Sequence, residues 1–446
     1  MDKYDVVVAG GGVAGIAAAV SSAREGAHTL LVERYGFLGG LGTAGLVNPF
    51  MSSSTSEGKP LVGGFYTEIC DRMSDIGGML GRAFDPEAMK YCAQEIVIEA
   101  GADLLLHTAV TGALVTEKEV VGIEVLTKSG SKEIKAGVVV DATGDGDIAA
   151  MACAQYELGN PESGLTQAMT LMFTIGGVSL RKSLIYAMEN PDEMRFPKPS
   201  SEAAVDRMLE SAIGVAGYYK EVEAARLKGE FPLPQDMVFF ISLPTPGHVV
   251  VNTTHIGGLD GTSSTDLTRA EIEGRRQVMV LMRFFRKYIP GFENAYLAQT
   301  AVQVGVRETR RIIGEYIFNV EDVAEGRKFP DPVLRSAYPV DVHSPKGKGY
   351  SKEEDISKAT VPPPGDWYEV PYRCIVPLEV ENLLVAGRCI SATQEGQGAV
   401  RIMPNCMALG QAAGTAAALC VKNSIIPRKL DYALLRKSLV SQGAII

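Results

Sequence analysis

The chain has no cysteine pair at metal-binding or redox spacing. Its seven cysteines, Cys70, Cys92, Cys153, Cys374, Cys389, Cys406 and Cys420, are odd in number and form no C-x-x-C, which argues against an oxidising compartment and against a metal site. It also has no basic run. With a net charge of −10 and a pI near 5.2, neither nucleic acid nor an anionic membrane surface is an expected partner. No stretch reaches ~18 uninterrupted apolar residues, so no membrane span is expected. The apolar N-terminus opens Met1-Asp2-Lys3 without the basic n-region of a signal peptide. Cytoplasm is therefore the expected location.

Glycine is plentiful: 48 residues within an apolar fraction of 46%, ordinary for a globular α/β protein. At 446 residues the chain exceeds the size at which one core keeps growing, and two domains are expected. The first glycines are patterned. A β-rich run, Tyr4-Asp5-Val6-Val7-Val8-Ala9, enters Gly10-Gly11-Gly12-Val13-Ala14-Gly15 and then a helical stretch from Ile16 to Val20. In such a G-x-G-x-x-G turn Gly10 allows the bend, Gly12 lets backbone approach a pyrophosphate, and Gly15 lets helix and strand pack closely. The helix N-terminus, with unpaired N–H groups, favours phosphate oxygens. After a C-cap at Gly26, a second strand, Thr29-Leu30-Leu31-Val32, ends in Glu33. That places an acid near the ~20-residue spacing at which a ribose 2′-hydroxyl is bound. A dinucleotide site follows, and Glu33 makes NADP its poorest candidate.

From Arg34 to Gly45 the chain is too rich in glycine for helix or strand, which suits backbone passing close to a bulky ligand. Asp85-Pro86-Glu87 opens a helix that stops at Gly101. Runs at Leu104–His107 with Val110–Val115, Val120–Leu126 and Glu133–Val140 read as a small antiparallel meander. The last run delivers Asp141-Ala142-Thr143-Gly144 to a turn. Between about 160 and 370 the pattern changes to helices near Glu202–Ile213 and Gly217–Lys228 and strands at Met237–Leu243 and His248–Thr253. Thr268-Arg269-Ala270-Glu271 is a capping box opening a long helix whose core face is Val278, Leu281, Met282 and Phe285. Arg327 to Trp367, rich in Pro, Gly and Lys, is either a functional lid or a disordered excursion. The chain then returns through a buried strand at Asn382–Gly387, a polar Gly-rich segment from Ser391 to Gly398, and a helix starting at Pro404 or Asn405.

In this order, the fingerprint, the acid, the glycine loop, the meander and the Asp141–Gly144 turn resemble the FAD-binding domain of glutathione-reductase-like flavoproteins. Gly305-Val306-Arg307-Glu308-Thr309-Arg310, Asn382–Arg388, Arg401-Ile402-Met403-Pro404 and Cys406–Gln411 sharpen the likeness. They are similar to a broad bacterial family of FAD-dependent oxidoreductases of mostly unassigned substrate. The resemblance implies an α/β fold: a Rossmann-like three-layer FAD-binding domain with a β-meander, built from residues 1–160 and 373–446, and an inserted α+β substrate or cap domain, 161–372. It implies FAD held by Gly10, Gly12, Val13, Ala14, Gly15, Glu33, Arg34, Gly40, Leu41, Thr43, Val110, Ala142, Thr143, Gly144 and Gly387. Arg388, Arg401 and Asn405 join that set. Arg388 and Arg401 otherwise pair with Asp141, Asp145 or Asp147.

A reduced flavin carries negative charge at its pyrimidine end, which the helix starting at Pro404 or Asn405 would offset with about half a positive charge. No second strand-G-x-G-x-x-G-helix unit occurs, so a built-in nicotinamide domain is not expected and the electron donor or acceptor is external. No His or Cys lies in the Gly39–Gly45 loop, which argues for non-covalent FAD. If Gln303–Tyr316 is a strand, Arg307, Thr309 and Arg311 share a face that binds a substrate carboxylate or pairs with Glu308 and Glu315. Asp341 and His343 form an acid/base couple or a structural pair. Arg373, after Tyr372, would close the substrate side, with His255 a weaker spare. The expected activity is hydride transfer between FAD and a small organic substrate that carries a carboxylate in one version of the reading. The alternatives are a lyase or hydratase with non-redox FAD, and a flavin sensor. The sequence leaves open whether the protein assembles into an oligomer.

Overall fold

A computed structural model describes residues 2–343 and 359–446. Strand β1 (Asp2–Ala9) contains Val6, Val7 and Val8, fully buried, as a central strand covered on both faces requires. It leads into helix α1 (Val13–Arg24) and strand β2 (Thr29–Val32). A sheet of seven strands forms around them. In order these are Asp103–Leu105, β2, β1, Gly130–Asp141, Glu119–Thr127 and Ala109–Thr116, with Leu383–Val385 also paired to Gly130–Asp141. The long strand Gly130–Asp141 shares one edge between two partners. Its first half pairs antiparallel with the meander, and its second half pairs parallel with Leu383–Val385 from the far end of the chain. The register sets Ala9 beside Val32 and Asp141, and Asp141 beside Val385. Four parallel strands thus end together, and ligands bind outside the carboxyl ends of such strands.

Helix Met403–Asn423 packs against α1 on the sheet through Gly410 and Gly414, where a Cβ would lie 2.0 Å from the carbonyl oxygens of Ala14 and Ala18. A second sheet of six antiparallel strands runs Met194–Phe196, Gly214–Gly217, Val238–Ser242, Val249–Val251, Phe173–Gly176 and Tyr296–Thr300. Its core includes Phe231, Phe240, Phe284, Phe285 and Phe292. The first sheet's strands fall within 1–160 and 373–446, and the second's within 161–372. The first core nevertheless also takes Ile312, Phe318, Leu334, Tyr368 and Val370, so its packing reaches into the intervening stretch.

Several local expectations need correction. The long helix spans Ser264–Tyr288, starting before Thr268, because Ser263 rather than Thr268 is its N-cap and accepts from the Asp266 N–H at 3.3 Å; its face at Val278, Leu281, Met282 and Phe285 is buried as read. Of Gln303–Tyr316 only Arg310–Ile312 is a strand. The polar segment before Arg401 contains a helix, Gln394–Val400, capped by the Thr393 side chain. The returning helix starts at Met403. Within the expected lid, residues 344–358 lie outside the described residues, and the strands around them, Pro332–Ser336 and Tyr368–Pro371, pair antiparallel. No described helix is long and apolar enough to cross a membrane.

Candidate active site

The site begins with backbone that only glycine tolerates. Gly10 has φ +100°, and a Cβ there would stand 2.6 Å from the Ala142 carbonyl oxygen; one on Gly15 would stand 1.8 Å from that of Gly10. The turn, the Ala142 segment and the first turn of α1 therefore close on one another. Gly12 differs, since a Cβ on it would meet only Gly40 Cα at 3.8 Å. It is the N-cap of α1, and no side chain caps that end. Glu33 is 7% exposed. Its Oε2 accepts from the Gly11 N–H at 2.6 Å and its Oε1 from the Tyr35 N–H at 2.8 Å, so the acid at the end of β2 also fixes the fingerprint loop. Asp141 is fully buried and accepts from Thr143 and from the Ala149 N–H; burial pushes its carboxyl up to about 6.

These pieces line a cleft of about 660 Å³. Gly10, Gly12, Val13, Ala14, Glu33, Arg34, Gly40, Leu41, Val110, Ala142, Thr143, Gly144, Gly387, Arg388 and Arg401 all border it. Both ends of the chain thus meet in one groove. Arg388 pairs with Asp145. Arg401 Nη2 donates at 3.0 Å to the carboxylate and the carbonyl oxygen of Asp341. Among the described residues, the Nε atoms of both arginines are buried without a hydrogen-bond partner.

A family profile described as FAD dependent oxidoreductase matches residues 5–439. The chain belongs to that family. Its cofactor is FAD, the family is one of oxidoreductases, and it does not support the lyase alternative. Among curated relatives, digeranylgeranylglycerophospholipid reductase 1 of Methanococcoides burtonii is 27% identical over 156 residues, 32% of this chain and 38% of that protein. Reductase 2 of Methanothermobacter thermautotrophicus is 35% identical over 156 residues, 32% and 40% of the two chains. The chain therefore matches about two fifths of the length of these relatives. Among solved structures, a geranylgeranyl bacteriochlorophyll reductase-like protein of Thermoplasma acidophilum aligns over 100% of this chain and 84% of its own, at 14% identity and TM-score 0.44. The myxobacterial halogenase CndH aligns over 99% and 79%, at 12% identity and TM-score 0.47.

The residues present fit FAD. The turn is bare where Gly12 faces Gly40, the uncapped end of α1 points into the groove, and two guanidinium groups with unpartnered Nε atoms border it. Three expected FAD-binding residues do not line the groove. Gly15 packs beneath the turn. Thr43 Oγ1 donates to the Leu38 carbonyl at 2.8 Å and closes the glycine loop. Asn405, fully buried, donates from Nδ2 to Ser336 Oγ at 3.0 Å. Met403 and Cys406 take the place expected for Asn405, because the helix begins earlier and turns Asn405 inward. The Cys406 thiol is pushed up to about 12 by burial.

Of the candidate catalytic residues, Arg373 lies outside the groove, held on Asp331 at 3.0 and 3.1 Å. Arg307, Thr309 and Arg311 do not share a strand face, since the chain is irregular before Arg310. Arg311 is buried against Glu308 at 2.5 Å with further bonds to Glu157 and two carbonyl oxygens, whereas Glu315 pairs with Arg428. Arg307 donates to the Ala168 carbonyl at 2.5 Å and lies in a polar cluster with His343, His255, Asp341 and Arg401. His343 Nε2 is 3.2 Å from Asp341 Oδ1. Burial, and after it the charge of Arg307, brings His343 down to about 4. Burial works to raise the Asp341 carboxyl, but Arg401, His343 and Arg307 overcome it and hold it well below the usual range. Sequence reasoning missed Tyr35, Glu271, Arg275, Gln303 and Val306, which also line the groove. The last four come from the long helix and the segment after the second sheet's edge strand, and no local motif ties them to the fingerprint.

Proposed function

We propose that the chain transfers a hydride between non-covalent FAD lying along this groove and a small organic substrate with an anionic group. The observation that carries this reading is the joining of the fingerprint turn to Gly387, Arg388, Arg401 and Met403 around a single cleft. When bound, FAD supplies the two-electron redox chemistry. The protein's part is positional and electrostatic. The end of α1 holds the diphosphate, Glu33 the ribose, and the end of helix Met403–Asn423 with Arg401 offsets negative charge at the far end of the groove. Among the described residues, the guanidinium groups of Arg307 and Arg401, set beside the uncharged His255 and His343, outnumber the cluster's one carboxylate, Asp341, and so favour an anionic substrate group. His343, neutral at neutral pH and hydrogen-bonded to Asp341, is placed to move a proton beside Arg401.

The electron partner is external, as the single fingerprint implies. The seven free cysteines support a reducing, cytoplasmic setting. The visible spectrum of the purified protein, followed by anaerobic titration with small carboxylate donors such as 2-hydroxy or 2-amino acids, tests the reading. A yellow protein bleached by one such donor supports it. Protein that takes up no FAD, or holds FAD that none of them reduces while a neutral donor does, overturns it.

A further inference from the structure

Between the second sheet and Arg310 the chain crosses the groove as a strap, and Val302, Gln303, Val304 and Val306 line it. Its attachments to the FAD-binding side lie at both ends. At one end Gln303 Oε1 accepts from Arg34 Nη2 at 2.5 Å and from the Tyr35 hydroxyl, and the N–H groups of Val302 and Gln303 reach the Ala44 carbonyl at 2.8 and 3.2 Å. At the other end Thr309 donates to Asp145 at 2.8 Å and Arg310 pairs with Asp147 at 2.9 Å. The orientation of the Gln303 amide is dictated by its partner. Arg34 can only donate, so the amide oxygen must face it, which leaves the NH2 group directed elsewhere. That NH2 makes no hydrogen bond among the described residues, and Gln303 borders the groove beside Glu33, Arg34 and Tyr35.

We propose that Gln303 is a cofactor-retaining residue: its carbonyl pins the strap to Arg34 and Tyr35 across the groove, and its NH2 donates to an oxygen of the bound dinucleotide. This rests on the reading of the groove as the FAD site. The Gln303 side chain adds its pin to the backbone bonds that hold this end on Ala44, so a slower release rate reports the pin and affinity reports the donor.

Purified holoprotein diluted into a flavin-scavenging apoprotein gives the release rate from the rise or loss of flavin fluorescence. Gln303→Leu, which removes pin and donor, is expected to speed release about tenfold, the factor that one neutral hydrogen bond supplies. Gln303→Glu keeps an acceptor for Arg34 and Tyr35 but has no NH2; its FAD affinity is expected to fall several-fold with the strap still pinned. Tyr35→Phe removes one pin from outside the strap and is expected to speed release about two- to fivefold. It serves where the Gln303 variants do not fold. Release and affinity within twofold of the parent in Gln303→Leu, parent-like affinity in Gln303→Glu, or parent-like release in Tyr35→Phe overturns the proposal. A parent protein that never binds FAD fails the underlying reading before any variant is measured.

Discussion

Gly410 sits against Ala14 so closely that a Cβ on it would lie 2.0 Å from the Ala14 carbonyl oxygen. The two residues are almost the length of the chain apart, and their contact brings the returning helix onto the fingerprint helix. Gly410→Ala pits two effects against each other. Alanine favours a helix over glycine by about 1 kcal/mol, whereas forcing a methyl into a close-packed contact costs about 1–3 kcal/mol or more. The contact wins, because the opposing atom is backbone. Urea unfolding is expected to show a net loss of stability, and FAD titration a weaker site, since Ala14 borders the groove. Unchanged stability and affinity would mean that the helices separate without effort.

Arg311 and Glu308 are 1% and 0% exposed and 2.5 Å apart. Removing one partner leaves a buried charge uncompensated, which costs about 3–5 kcal/mol. Arg311→Met, which leaves the Glu308 carboxylate buried without its cation, is expected to lose that much in chemical unfolding, and Glu308→Gln less, because Arg311 keeps Glu157 at 3.2 Å. Arg311→Lys is expected to rescue little, because a single ammonium cannot reach the acceptors that the planar guanidinium spans. If Arg311 instead served the substrate, its variants would raise KM with stability intact.

The contrast between these two contacts shows what was legible in the sequence. The fingerprint, the Asp85 cap and the meander are local: Gly10, Glu33, and Asp85 accepting from the Glu87 N–H act within one or two elements, so spacing and residue type reveal them. The same holds for the glycine loop and for the strand that brings Gly387 and Arg388 to the groove. Arg307 to Arg311 could not be read this way. An alternating pattern suggests a strand, but here Thr309 is drawn to Asp145 and Arg311 to Glu308 and Glu157, and these distant partners override the local preference. Asn405 failed for a smaller reason: a helix start displaced by one or two residues turns a side chain by 100° per residue, enough to move it from groove to core.

His255 supplies a pH prediction. Burial, then the charges of Arg307 and His343, bring it from 6.5 down to about 4, and its Nε2 is buried without a partner among the described residues. Above the unfolded value both states are neutral and its contribution is complete. As pH falls through 6.5 toward 4 the unfolded chain binds a proton that the folded chain refuses, and stability is lost. His255→Gln removes that proton from the balance. Between pH 6.5 and 4 the stability of the variant is expected to fall less steeply than the parent's, by up to about 1.4 kcal/mol per pH unit. Urea titrations at stepped pH check this; parallel slopes would show that His255 titrates alike in both states.

Asp341 allows the FAD site and the substrate side to be tested apart. Its carboxylate accepts from Arg401 at 3.0 Å and faces His343 Nε2 at 3.2 Å, while Asp341 itself does not border the groove. Asp341→Asn is expected to leave FAD affinity within about threefold, because Arg401 keeps its bond to the Asp341 backbone carbonyl. Turnover is expected to fall about 10²-fold if His343 moves a proton. The sign of the accompanying pH shift is fixed. A carboxylate beside an imidazole favours the imidazolium, so its loss lowers the His343 pKa below its already depressed value near 4. The acid limb of kcat/KM therefore moves to lower pH in the variant. A limb that stays in place separates His343 from the chemistry, and FAD lost in step with turnover makes Asp341 part of the cofactor site instead.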